Sequence, residues 1–469
     1  VFPVTTRSSF GSRRQLVAGA CDGVAVLVAS GAPLARNYPA NHYPFRPSSH
    51  FLYLSRLGRE NSFLLLDGAR TLLFTEAPDR DDALWHGPRP ELSAVAEAEG
   101  VDEARPVEEL PGILATLRDR VGFLPPQDPA TRARVGEWLG RAIPARSPAP
   151  PGDGELDHAP DAVVRRAIRD ARLVHDDAAL DQLRAAAVAS AQAHLEGMRA
   201  TLSAERESEI EAAITHVLRR YGMQHAYGPI VSVAGEVLHS RRHDQVVHPG
   251  DLVLCDVGGE TPEGWASDIT RTWPIAGRFS KTQRAIYEVV LAANQRAIER
   301  VRVGVSYRAV HEEAKRAMVE GLVALKIFRG SVDGLLERGA AALFFPHGVG
   351  HLLGLDVHDM EDLGDFAGYG EGRSRSATFG DRYLRLDRDL RPGMAVTIEP
   401  GFYQVPGILG DAALLAPLGD DLDLDVLALY SDVRGIRIED DVVCTDGEPE
   451  ILTRSCPKTV ADVEHAIAS

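Results

Sequence analysis

The sequence predicts an α+β fold in which a C-terminal domain of helices laid over a pseudo-symmetric sheet follows a smaller α/β domain. Three observations carry this reading. The length of 469 residues exceeds what one hydrophobic core serves. Beyond residue 172, amphipathic helical patterns alternate with short apolar, strand-like runs. Finally, His248-Pro-Gly-Asp-Leu-Val-Leu-Cys-Asp256 and Arg391-Pro-Gly-Met-Ala-Val-Thr-Ile-Glu399 repeat one unit: a Pro-Gly turn, an apolar strand and a carboxylate. Two such units would present Asp256 and Glu399 from equivalent positions of the sheet.

Residues 1–172 read as the α/β domain. The run between Gly23 and Gly31 is a buried strand. It is not a secretory or lipoprotein signal, because the apolar stretch follows Cys21, whereas a lipobox cysteine ends it. Phe63-Leu-Leu-Leu-Asp and Thr71-Leu-Leu-Phe-Thr are further strands, Pro111-Gly-Ile-Leu-Ala-Thr-Leu is helical, and Ser147-Pro-Ala-Pro-Pro-Gly-Asp-Gly is a loop. Residues 173–469 form the second domain. One helix starts near Asp177 and carries Leu180, Leu183, Ala187 and Ala191; a second carries Ile210, Ile214, Val217 and Leu218. A third opens with the capping box Ser280-Lys-Thr-Gln283, and a fourth carries Val310, Ala314, Met318 and Leu322.

Composition narrows the function. Apolar residues make up 44% and charged residues 25%, as in globular proteins. With 51 basic against 68 acidic residues, the net charge of −17 argues against nucleic acid as a partner. No segment approaches the ~18 consecutive apolar residues of a membrane span. Cys21, Cys255, Cys444 and Cys456 are widely spaced without a CxxC pair, which predicts buried thiols in a reducing, cytoplasmic compartment.

The chemistry-bearing residues lie beyond residue 250. Asp256, Asp268, His351, Glu399 and Glu439 are all of metal-ligand type, each in a short strand-like or turn segment. Four carboxylates converging in a low-dielectric cleft would repel one another by several kcal/mol unless cations lay between them. One imidazole beside four carboxylates suits manganese, cobalt or zinc, and an ion pair can ready a water for attack on a carbonyl. Asp256 and Asp268 are expected on the two arms of a hairpin; a single salt-bridged Asp is the plain alternative. His347, His351 and His358 share a glycine-rich loop, with Gly348 where a helical zinc-protease motif would need Glu. This loop makes His351 the ligand and leaves His347 and His358 around it or facing substrate. Arg437 and Glu439 share one strand face, where Arg437 can orient a carboxylate or bind a substrate carboxylate; a surface ion pair is the plain alternative.

Taken in order, Gly-Asp-Leu-Val-Leu-x-Asp, Ser-Asp-Ile-Thr-Arg-Thr, His-Gly-Val-Gly-His-x-Leu-Gly-Leu-Asp-Val-His-Asp, Thr-Ile-Glu-Pro-Gly-Phe-Tyr and Gly-Ile-Arg-Ile-Glu-Asp-Asp resemble the proline-specific metallopeptidases of the pita-bread fold. The chain looks most like aminopeptidase P, with prolidase second. The similarity is strong over residues 172–455 and weaker through Tyr43-Pro-Phe-Arg-Pro and Ala83-Leu-Trp-His-Gly-Pro-Arg. It implies a curved pita-bread sheet and two divalent metal ions, manganese first and zinc or cobalt next. Asp256 would chelate one ion, His351 and Glu399 the other, and Asp268 with Glu439 would bridge both. It further implies Glu399 as proton shuttle, His239 and His358 as substrate-side histidines, and Tyr403 and Arg437 lining the proline side. His347 is a substrate-facing candidate, and Trp85 would close the site from a neighbouring subunit of a homodimer or homotetramer.

The activity so implied is removal of the residue preceding proline from a peptide. The alternatives are a prolidase restricted to dipeptides and, more remotely, a non-catalytic peptide-binding protein. Two departures stand out: the 12-residue interval from Asp256 to Asp268, one longer than in many relatives, and a long segment over 361–386. Its Arg373 and Arg375 could reach a substrate carboxylate; the solvated reading is preferred.

Overall fold

A computed structural model describes residues 2–145 and 159–469, so the loop expected over 147–154 lies outside the described residues. Contacts group Val4–Ala178 with Met360–Ala367 in one compact unit, and Val1–Pro3, Ala179–Asp359 and Gly368–Ser469 in the other.

The first unit is built on a five-stranded mixed sheet of β1 (Ala25–Ala29), β2 (Phe63–Asp67), β3 (Arg70–Thr75), β4 (Glu103–Pro106) and β5 (Val121–Leu124), ordered β4-β3-β2-β1-β5. Every residue of β1 is buried, as its unbroken apolar run predicts. Helix Ala159–Arg172 packs on β5 because Gly122 has no side chain: a Cβ there would stand 2.3 Å from the Pro160 carbonyl oxygen. The segment Met360–Ala367 joins this unit through His50, whose Nε2 lies 2.9 Å from Asp362 Oδ2, and through Phe366, whose ring meets the guanidinium groups of Arg165 and Arg169.

The second unit holds short antiparallel ladders. One is ordered β10-β8-β7, from β7 (Ile230–Ser232), β8 (Leu252–Asp256) and β10 (Thr270–Pro274); β6 (Gln224–His225) pairs with β9 (Gly259–Glu260). Another is ordered β11-β14-β15, from β11 (Ala395–Ile398), β14 (Asp440–Val443) and β15 (Glu450–Ile451), while β12 (Gly401–Tyr403) pairs with β13 (Gly435–Arg437). Thr272 Oγ1 stitches β10 to β13, accepting from Arg437 N at 3.1 Å and donating to Arg437 O at 3.1 Å.

Four long helices cover these ladders as the sequence predicts: Asp177–Ala200, Glu207–Arg220, Lys281–Glu299 and Tyr307–Ala324. The expected capping box is present, with Ser280 and Gln283 each bonding the other's backbone. The first pair packs Ala186, Ala193, Ile210 and Ile214 on Val231, Val253 and Trp273. The second pair packs Ile286, Val290, Met318 and Leu322 on Phe402, Ile436 and Ile438. Full burial of each such aliphatic side chain stabilises the fold by about 1.5–3 kcal/mol. Each half of the repeat thus has its own strands and its own helix pair.

Candidate metal centre

The two Pro-Gly turns place their acids alike. Asp256 is the last residue of β8, and Glu399 directly follows β11. The histidine loop reaches Glu399 by running beside β11: Thr397 N donates to His351 O at 3.0 Å, and Glu399 N to Val349 O at 2.8 Å. Gly350 makes this approach possible. Its φ is 152°, and a Cβ would stand 2.3 Å from Thr397 O and 2.4 Å from Tyr307 Oη.

Asp268 lies on the return arm of the expected hairpin, two residues before β10: Thr270 pairs with Asp256, Val257 N donates to Ile269 O at 3.0 Å, Ser267 N donates to Gly259 O at 3.0 Å, and Glu260 bridges Ala266. Opposite it, the backbones approach so closely that a Cβ on Gly258 would stand 1.8 Å from Ser267 O. Asp441 then holds Asp268 in place, its two carboxylate oxygens accepting from Asp268 N at 3.2 and 3.0 Å.

All five expected ligands converge. Ligand atoms within 4.8 Å of one another form the groups Asp256/Asp268/Glu439, His351/Glu399/Glu439 and Asp268/His351/His358. His351 Nε2 stands 3.5 Å from Asp268 Oδ2 and 3.7 Å from Glu399 Oε1, while its Nδ1 faces Leu352 O at 2.9 Å. A proton on Nδ1 satisfies that carbonyl and leaves the Nε2 lone pair for a metal. The His358 ring stacks on His351 at 3.8 Å.

Around this cluster, Arg437 donates to Asp256 Oδ2 at 2.5 Å, Thr270 Oγ1 at 3.0 Å and Tyr403 Oη at 3.1 Å. It is no surface ion pair. His347 Nε2 meets the Tyr403 hydroxyl at 2.9 Å and its Nδ1 meets Gly348 O at 2.8 Å, with Glu399 3.9 Å away. On the loop of residues 236–240, His239 has its proton affinity lowered by desolvation first and then by the charges of Arg437, Arg385 and Arg241. Trp85 belongs to the other unit, on helix Arg80–His86, where it is 79% exposed. Arg373 and Arg375 are partly exposed, and both bond within the chain. Arg373 is tied to Asp387 at 3.2 Å and Asp389 at 2.6 Å, and Arg375 donates to Leu384 O at 2.9 Å.

Tyr227 is a site residue that the sequence reading missed. Its hydroxyl lies 2.6 Å from Asp256 Oδ1 and 2.5 Å from Asp268 Oδ1. Thr270 is another, donating to Glu439 Oε2 at 2.7 Å. Thr270 lies inside the Ser-Asp-Ile-Thr-Arg-Thr motif, two residues after Asp268, and that position was its available signal; Tyr227 has only the Gly-Pro that follows it.

The electrostatics ask for cations. Burial raises the Glu399 carboxyl to about 7 and, against the pull of Arg437, Asp256 to about 6. Burial and then the charges of Asp268, Glu399 and Asp256 push Glu439 well above the carboxylate range. Asp268 moves down, since His351 and Tyr227 outweigh its burial. Glu399 and Glu439, held towards their protonated forms beside two more acids, fit a site built for divalent ions. The grouping of His311, Glu312 and Asp381 differs, because the Lys315 ammonium already lies 2.8 Å from Asp381 and 3.2 Å from Glu312.

Comparison with known proteins agrees with this geometry. Residues 181–446 match the model of metallopeptidase family M24, and residues 10–122 match the aminopeptidase P N-terminal domain. A probable Xaa-Pro aminopeptidase of Uncinocarpus reesii is 33% identical over 90% of this chain and 86% of its own length. The human Xaa-Pro dipeptidase is 32% identical over 86% of this chain and 80% of its own length. The structure of proline aminopeptidase P II from Yersinia pestis, 32% identical, superposes with a TM-score of 0.80 over 99% of this chain and 100% of its own. With the cluster of acids and histidine, the helices and the paired half-sheets all in place, this chain belongs to the aminopeptidase P/prolidase family of M24 pita-bread metallopeptidases, and it is a metallo-exopeptidase.

Proposed function

We propose that the protein is a Xaa-Pro aminopeptidase working with two divalent ions, manganese first, that releases the N-terminal residue from peptides with proline in second position. The observation that carries this reading is the sharing of Glu439 between two ligand groups, one with Asp256 and Asp268 and one with His351 and Glu399. In this arrangement Asp256 would hold one ion, His351 and Glu399 the other, and Asp268 with Glu439 would serve both. When bound, a pair of divalent ions supplies Lewis acidity and activates water as the nucleophile.

The chain's own groups do the rest. Glu399, whose burial favours a proton, takes one from the attacking water and carries it towards the proline nitrogen, which must be protonated to leave. Burial, then Arg437, lowers His347 to about 3, so its imidazole stays neutral and positions the Tyr403 hydroxyl. His239 and His358 stand on the substrate side as donors to a developing oxyanion. Arg437 keeps Asp256 ionised and oriented through their short hydrogen bond.

Residues 1–172 serve as the assembling domain of a homodimer or homotetramer, with Trp85 closing the site of a neighbour. Exposure of Leu84 and Trp85, at 78% and 79%, supports that role. Four buried free thiols support a cytoplasmic, reducing location. Similarity to the human Xaa-Pro dipeptidase favours a second reading, cleavage of dipeptides only. Comparing kcat/KM for a Xaa-Pro dipeptide and the same sequence extended by several residues decides between them. We expect the longer peptide to be cleaved at least as efficiently; strong preference for the dipeptide overturns the aminopeptidase reading.

A further inference from the structure

One side-chain amide, remote in sequence from every ligand, touches the backbone of both ligand-bearing glutamates. Asn294 is completely buried on helix Lys281–Glu299. Its Nδ2 donates to Ile398 O at 3.0 Å and to Ile438 O at 3.3 Å. These are the carbonyls of the peptide groups that lead directly into Glu399 and Glu439. A primary amide has two N–H bonds, so one group can serve both carbonyls at once.

The amide's orientation is set from behind. Lys458 Nζ, which can only donate, lies 3.0 Å from Asn294 Oδ1 and 2.6 Å from Asp440 Oδ2. The oxygen must therefore face Lys458, and the NH2 group must face the two carbonyls. Asp440 is held in turn by Thr453 Oγ1 at 2.7 Å and by Arg271 Nη2 at 2.9 Å. Arg271, also fully buried, donates through Nη1 to Glu439 O at 2.5 Å, gripping the peptide on the other side of Glu439. Glu439 N closes the set by donating to Thr270 O at 3.0 Å.

We infer that Asn294, oriented by Lys458, is a positioning residue that sets the spacing of Glu399 and Glu439, and with it the capacity of the centre to hold two ions. The inference rests on the two-ion reading. The physical reason is the short tolerance of the site: two ions ~3.5 Å apart must share ligands, and ligand positions within about 0.5 Å are needed for productive geometry. Glu399 follows β11 and Glu439 precedes β14, on neighbouring paired strands of the second half of the repeat, between the β11–β14 and β12–β13 ladders. The β11–β14 ladder pairs Ile398 with Asp440 but does not include either glutamate. The Asn294 amide spans that end of the ladder, joining the two glutamate backbones through a single rigid plane.

The test is Mn2+ titration of the metal-free protein, read by calorimetry for stoichiometry and affinity and by electron paramagnetic resonance for coupling between ions. Wild-type protein should take up two ions with a coupled spectrum. Asn294→Ala should bind at least one of them about tenfold or more weakly and lose the coupled signal, in the range seen when groups supporting metal ligands are removed. Val290→Ala, a truncation equally buried on the same helix, is the control: it should lower Tm and leave both affinities and the coupled spectrum intact. Should Asn294→Ala not fold, Lys458→Met, at a partly exposed position, should shift affinity the same way, and Lys458→Arg should restore it. Two coupled ions with affinities within about twofold of wild type in Asn294→Ala, or in Lys458→Met if that is the variant that folds, overturn this inference alone. Wild-type protein that takes up fewer than two ions overturns the two-ion reading and the inference with it.

Discussion

At the scale of residues, the site is a set of buried acids held short of mutual repulsion by hydrogen bonds and one guanidinium. Glu399 is the acid whose environment differs most usefully from water, because burial favours its proton at neutral pH and His347 stands beside it. Glu399→Gln keeps the shape of the side chain but can neither accept nor release that proton. Turnover of a Xaa-Pro peptide should fall by about 10²–10⁴-fold, with Tm within a few degrees of wild type; appreciable residual kcat would remove its proton role. The five clustered side chains were legible in the sequence because each sits in a short motif whose polar residue makes no sense in an apolar strand. Thr270 stood in one of those motifs without its own role being readable, and Tyr227 and Asn294 stood in none, since a lone hydroxyl or amide looks the same whether it meets a site residue or a helix backbone.

At the scale of elements, the histidine loop depends on backbone contact with β11. Gly350 combines a positive φ with neighbours that leave no room for a Cβ. Gly350→Ala should push the loop off Thr397, costing about 2–4 kcal/mol of stability, and should weaken Mn2+ binding by carrying His351 away from Glu399. Denaturant unfolding and metal titration check both effects. The same kind of contact serves the hairpin that carries Asp256 and Asp268, where Ser267 O fits against Gly258 and the two arms bond on either side of Asp268 through Val257 N to Ile269 O and Ser267 N to Gly259 O. Helices were read more securely, because caps and 3.6-residue periodicity are local; Ser280 and Gln283 form the box their spacing promised.

At the scale of the whole molecule, the cluster ties stability to pH and metal. Folded-state acids with raised proton affinity favour the folded form while protonated, and that contribution is lost as pH rises through the folded value. For Glu399 the window runs from the unfolded value near 4.5 to about 7. Histidines with lowered proton affinity, such as His347 and His194, act in the opposite direction, and their effect fades only about one pH unit above the unfolded value of 6.5. The difference between wild type and Glu399→Gln isolates the glutamate: between about pH 4.5 and 7 the metal-free wild type should lose Tm relative to Glu399→Gln, and Mn2+ should restore the loss. Metal uptake at pH 6.5 should release protons, measurable by calorimetry in buffers of different ionisation enthalpy. Parallel Tm profiles of the two metal-free proteins across this range would contradict the electrostatic account. The sequence by itself determined the fold class, the four covering helices and the five side chains that cluster, because periodicity, caps and Pro-Gly–strand–acid units are local patterns. Tertiary structure alone decided that Asp441 holds the Asp268 backbone, that Arg437 grips Asp256, and that one buried amide spans both glutamates. Those relations join residues up to 181 positions apart, and no local pattern encodes which distant backbone a polar side chain will meet.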